Sequence, residues 1–242
     1  MVQKTRGIVL HVISYGEASV IAHIYTEEFG MQSFLLNGVR KAKARFNANL
    51  LQPLSCVEVV AYIKPSKSLH RVNEFAAAPS FDSIPYDTLK TTMALFLAEV
   101  MYRSIREEEK NTALFDFIHN SILYLDQQEE HFHLFHLLFM IKLSRFLGFY
   151  PQNHAEVTAP VFDMREGVFT NHLPTHSDVL DPLTGKNLSR LLDTSLDSLH
   201  HLSFPSSERK TLLRSLVYYY ELHQTHGFQL QSMSVLEEVM NN

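Results

Sequence analysis

Between residues 6 and 75 the side chains alternate with a period of two in short runs, and from about residue 85 the apolar spacing changes to threes and fours. That switch constrains the fold more than any other feature, because a strand pattern buries no continuous face as a helix. The first part holds five runs, 7–13, 19–26, 31–36, 57–63 and 69–75, rich in β-branched and aromatic residues. Tyr15-Gly16-Glu17 and Glu27-Glu28-Phe29-Gly30 supply turns between the first three, and residues 46–51 leave room for a loop or one helical turn. Five short strands with a break after the third predict an OB-fold barrel, with other small barrels as the alternative. Tyr15, Tyr25, Phe34, Phe46, Tyr62 and Phe75 are its aromatic residues. Alternation and the demand for large inward side chains leave about two of them facing solvent.

The second part reads as helices around a small β insertion, which makes the chain α+β. A first helix is expected from Pro85, with the charge run 106–110 as its solvated end, and a second follows Asn111 as cap. A third spans about 130–147 and is stopped by Gly148 and Pro151. Residues 152–185 break the pattern with a hairpin, 161–164 and 167–170, and a Pro-containing loop. Helices resume at about 188–200 and 207–226, and a weakly amphipathic piece covers 235–240. The domains expected are a barrel at 1–78 and a helical domain at 79–242.

Charge divides along the same line. Residues 1–76 carry nine Lys and Arg against five Glu, net +4, whereas the remainder carries 12 cations against 21 anions, net −9. Four of the cations, Arg40, Lys41, Lys43 and Arg45, fall within six residues after the third strand, and Lys64 and Lys67 lie between the fourth and fifth. A cluster of this density has little to do inside a core and suits phosphate.

Other chemistry is thin. No Gly-rich phosphate loop ending in Lys-Ser/Thr, no His-Glu-x-x-His and no Gly-x-Ser-x-Gly occurs, and the acidic residues show no pairing suited to a Mg2+ nuclease. The single cysteine, Cys56, rules out an internal disulfide framework and a Cys-based zinc site, and a reducing cytoplasm fits best. It reads as a small buried residue, with no neighbouring cation to activate it. The N-terminus enters a strand without the apolar run of a signal peptide, and no apolar stretch is long enough to span a membrane. Of 14 histidines, His131, His133 and His136 lie close together on the expected third helix, as surface or packing residues.

Specific runs then carry a resemblance. Thr5-Arg6-Gly7-Ile8-Val9-Leu10, Tyr15-Gly16-Glu17-Ala18-Ser19, Gly38-Val39-Arg40-Lys41-Ala42-Lys43-Ala44-Arg45-Phe46 and Leu51-Gln52-Pro53 resemble the bacterial recombination mediator family RecO. Phe139-Met140-Ile141-Lys142-Leu143 and Phe146-Leu147-Gly148-Phe149-Tyr150-Pro151 are similar to its central helix and the stop after it. The resemblance implies an N-terminal OB-fold joined to a helical domain. It also implies binding of single- and double-stranded DNA, annealing of complementary strands without nucleotide, binding of the acidic tail of single-strand-binding protein, and action with RecR to load RecA. An enzyme activity, a cofactor or a membrane is not expected, and the place of action is the cytoplasm, at the nucleoid.

The DNA-binding candidates are Arg40, Lys41, Lys43, Arg45, Phe46, Lys64, Lys67 and Arg71. Phe139, Lys142, Leu143, Arg145 and Phe146 are candidates for receiving the acidic tail, the alternative being core residues with cations reaching water. Many members of the family carry a four-cysteine zinc motif in the region of 152–185, and all of those cysteines are missing here. His154, Asp163, His172, His176 and Asp178 remain as donors, but Pro174 opposes a regular helical site, so a metal-free hairpin is expected. A non-enzymatic adaptor whose basic loop meets an acidic protein is the other function considered.

Overall fold

The computed structural model describes residues 2–39, 46–64, 67–78, 81–153, 161–225 and 227–240. Its strands are β1 (Val2–Tyr15), β2 (Ser19–Thr26), β3 (Gly30–Leu36), β4 (Cys56–Tyr62) and β5 (His70–Ala77). They close in the order β1-β2-β3-β5-β4, with β4 returning to β1 and β3 meeting β5 in parallel, which is the OB topology. β1 serves two neighbours, pairing with β4 from Val2 to Ile8 and with β2 from Gly7 to Tyr15. An irregularity between Val9 and His11 bends it, as closure of a small barrel demands. Inward residues, among them Val9, Ala22, Ile24, Phe34, Leu36, Val57, Val59 and Val72, fill the interior. A 3-10 turn, Ala48–Leu51, is capped by Asn47, whose side chain accepts from Asn49 N at 3.0 Å, and it lays Leu50 and Leu51 against the barrel core.

The chain separates into two compact units, Met1–Gln127 and Gln128–Asn242. The first contains the barrel together with α1 (Thr88–Ser104) and α2 (Thr112–Gln127). Asp87 caps α1, accepting from Lys90 N at 2.9 Å, so Pro85 lies before the helix and not in its first turn. Asn111 caps α2 as expected, accepting from Leu114 N at 3.0 Å. The charge run 106–110 is not a helix end: α1 stops at Ser104, and the exposed segment after it bonds the barrel through Met31 N to Glu107 O, 2.8 Å, and Lys110 to Glu28, 2.9 Å. Gly30 makes this approach possible, since its φ is 60° and a methyl group there would overlap the Glu107 and Glu109 backbone.

The second unit holds α3 (Phe135–Phe146), the hairpin β6 (Val161–Asp163) and β7 (Val168–Thr170), then α4 (Pro182–Leu192), α5 (Ser206–His223) and α6 (Met233–Val239). α3 starts later than its apolar run because His131, at φ 60°, turns the chain before it, and it ends at Gly148, φ 87°, as the sequence indicates. α4 starts earlier than expected, since Asp181 caps it by accepting from Leu183 N and Thr184 N, which makes Pro182 a first-turn residue and not a loop. It also ends at Leu192, and Leu199–His201 is a separate 3-10 turn. Phe149 packs edge-on to Tyr219 and Tyr220, whose hydroxyls donate to Phe149 O and Met140 O, each at 2.6 Å. Among the described residues no helix is long and apolar enough to cross a membrane.

Candidate nucleic-acid interface

Strand register gathers one end of the barrel. Tyr15 lies opposite Ser19, Val20 opposite Leu36 and Leu35 opposite Arg71, so the β1–β2 turn, the exit of β3 and the entry to β5 adjoin. Ser19 Oγ donates to Asn37 Oδ1 at 3.2 Å across the first of these junctions. Here a groove of about 480 Å3 is lined by Leu35, Tyr62, Lys64, Lys67, Leu69, His70 and Arg71. The three groove cations, all sequence candidates, are exposed, and among the described residues no carboxylate lies within ion-pair distance of them. Other barrel cations are engaged: Lys4 pairs with Glu58 at 2.9 Å, and Arg6 donates to both oxygens of Glu27. Among the described residues the groove's three cations therefore stand without an ion-paired carboxylate, in a chain of net charge −5.

Buried His70 braces the groove, with Nε2 at 2.8 Å from Gln32 Oε1. Burial lowers its pKa below the usual imidazole value, opposed by the Tyr62 carbonyl and Glu108. The fixed positive charge therefore belongs to the lysines and Arg71.

Arg40, Lys41, Lys43 and Arg45 lie outside the described residues. Val39 and Phe46, which flank them in sequence, are both buried in the barrel core. Phe46 is only 5% exposed and stands edge-on to Phe75 with ring centroids 6.4 Å apart, so as a DNA contact it is corrected to a core anchor. Of the six barrel aromatics, Tyr15 at 52% and Tyr62 at 50% face solvent, while Tyr25 and Phe34 are buried and Phe75 is half-buried.

The tail-receiving candidates on α3 do not form one surface. Phe139 and Leu143 are buried in the core, Phe146 is half-buried, and Lys142 Nζ donates to Leu192 O at 3.1 Å. What the fold adds is Tyr150, with the Arg145 guanidinium 4.4 Å and the Lys142 ammonium 5.9 Å from its ring centre. Tyr150, Pro151, Gln152, Asn153, Leu192 and Asp193 line a shallow groove of about 370 Å3 beside these cations. Tyr150 is half-buried, and an aromatic two residues past the Gly148 helix stop was the only sequence signal for it.

In the hairpin region, Asp163, His176 and Asp178 come together with Arg165 and Tyr218 as a polar network. Asp163 accepts from Arg165 N and Glu166 N and lies 3.3 Å from His176 Nε2, while Asp178 accepts from Arg165 Nε and, at 2.8 Å, from Tyr218 Oη. Hydrogen bonds from Tyr218 and Arg165 hold the Asp178 carboxyl below the usual range. His154 lies outside the described residues, and among those described no group of three His, Cys, Asp or Glu is placed to hold a metal. His133 precedes α3 and is exposed, whereas His136 is buried within it, so the two are not neighbours on a helix surface. Burial pushes the Cys56 thiol up to about 12, which leaves it inert.

Comparison with known proteins agrees with this architecture. The sequence model "Recombination protein O N terminal" matches residues 1–81, and "Recombination protein O C terminal" matches residues 85–231. A DNA repair protein RecO from Bacteroides fragilis is 40% identical over 242 residues, and one from Phocaeicola vulgatus 37% identical over 241, each covering 100% of both chains. A third, from Flavobacterium psychrophilum, is 33% identical over 98% of this chain and 99% of its own. The cation-lined OB barrel, the helical unit with its β insertion, and full-length matches at this identity together place the chain in the RecO family, whose named relatives are DNA repair proteins.

Proposed function

We propose that this chain is a non-enzymatic recombination mediator that binds single- and double-stranded DNA through its barrel and anneals complementary strands. The observation that carries this reading is the groove in which Lys64, Lys67 and Arg71 have no ion-paired carboxylate among the described residues, in the unit that also bears Arg40, Lys41, Lys43 and Arg45. Each cation that meets a phosphate releases condensed counterions, which favours any polyanion regardless of sequence. One positive surface also screens the repulsion between two complementary strands and leaves base edges free to pair. Residues 1–78 are then the nucleic-acid-binding domain and 79–242 the protein-binding one. With RecR, the protein helps to load RecA onto DNA coated by single-strand-binding protein, in the cytoplasm at the nucleoid and without a cofactor. The acidic tail of single-strand-binding protein is received by Lys142 and Arg145 beside the Tyr150 groove, which favours this site over a pocket built on Phe139 and Leu143.

Gel shifts with single-stranded and duplex oligonucleotides test the reading. Replacing Arg40, Lys41, Lys43 and Arg45 by Ala is expected to abolish or strongly weaken both shifts. Full retention would favour the adaptor alternative, in which the loop meets an acidic protein. Annealing of strands coated with single-strand-binding protein, with and without its acidic tail, checks the partner.

A further inference from the structure

We infer that Tyr62 is a base-stacking platform, which makes the barrel groove selective for unpaired strands. This rests on the proposed DNA-binding role and adds the residue that tells one strand from two. Tyr62 ends β4, on the outward side that carries Glu58 and Val60, and the residue is 50% exposed where it lines the groove. Around it stand Lys64, Lys67 and Arg71 for phosphates and Leu35 and Leu69 as apolar flanks, and among the described residues no carboxylate lines the cavity. Its volume, about 480 Å3, lies in the range of sites that take small planar ligands. Such a combination, an exposed aromatic beside cations with no carboxylate within ion-pair distance among the described residues, fits a nucleotide whose base is free to leave its stack. Duplex bases offer no free face, so a duplex meets the cations alone and gains nothing from the ring. Every base has such a face, so no sequence preference follows.

The test uses the full chain and three probes of equal length: an oligo-dT strand, an abasic sugar-phosphate strand and a duplex. Tyr62→Ala is expected to weaken oligo-dT binding by roughly 5- to 100-fold and leave the abasic and duplex affinities unchanged, while Tyr62→Phe binds as the wild type does. The chain contains no tryptophan, so Tyr62→Trp supplies a single reporter. Its emission should be quenched by oligo-dT and not by the abasic strand. Equal losses on all three probes, no loss on oligo-dT, or a reporter blind to bases overturns the stacking role and leaves charge-driven binding standing. Failure of the wild type to bind any probe overturns both readings.

Discussion

His136 shows what a side chain does once the fold surrounds it. In sequence it is one of three nearby histidines, three residues from His133, with nothing to set it apart from a surface residue. In the structure it is fully buried in α3, and burial, with Arg209 and His133 adding repulsion, lowers its pKa from the usual 6.5 to about 3. The native state therefore holds it neutral, while the unfolded chain takes up a proton below 6.5. Its contribution to stability is complete above that pH and is lost as pH falls toward about 3. Urea unfolding should show roughly 2 kcal/mol less stability from this residue at about pH 5 than above neutrality. His11, His23 and His70, also lowered chiefly by burial, act in the same direction, so the readout is the difference from His136→Phe. An equal acid loss in that variant removes His136 as a source. Tyr62 illustrates the opposite case: alternation indicates that a minority of barrel aromatics face out, but only register and closure reveal which ones.

Among the elements, the segment between barrel and α1 depends on one side chain from α2. Asp126 accepts from Asp82 N, Ser83 N and Ile84 N, each at 2.9 Å, and buried Lys90 reaches Ser83 Oγ at 2.6 Å and the Asp126 carbonyl at 3.2 Å. Burial works to raise the Asp126 pKa, and these backbone donors outweigh it and pull the carboxyl below its usual value. Asp126→Ala leaves three N–H groups to find water, and a loss of about 2–3 kcal/mol is expected, with new protease cleavage in residues 81–87. Unchanged urea midpoint and digestion pattern would show that the segment holds itself. The Asp126 contacts are not visible in sequence, because their partners are more than 40 residues apart. Helix boundaries divide in the same way. Asn111 and Gly148 announce themselves through local chemistry. Pro182 misleads, since proline marks a loop or a first helical turn equally well until Asp181 is seen accepting from the next backbone N–H groups.

Across the whole molecule, a net charge of −5 conceals a basic first third, and nucleic-acid binding should follow that local balance. Each phosphate contact on a single strand contributes roughly 0.7 to the slope of log affinity against log salt. Replacing Lys64, Lys67 and Arg71 by Ala should therefore reduce that slope by about 2 in a titration from low to high salt. A slope untouched by the triple substitution would place the phosphates elsewhere. By itself the sequence determined the barrel-then-helices order, the β insertion and the clustering of positive charge, because period, turn residues and composition are local properties. Tertiary structure alone decided that α1 and α2 belong with the barrel unit, that Phe46 turns inward, and that Tyr62 joins three cations at one groove. Those outcomes come from strand register, barrel closure and burial, which relate residues distant in the chain and leave no mark on any short stretch of it.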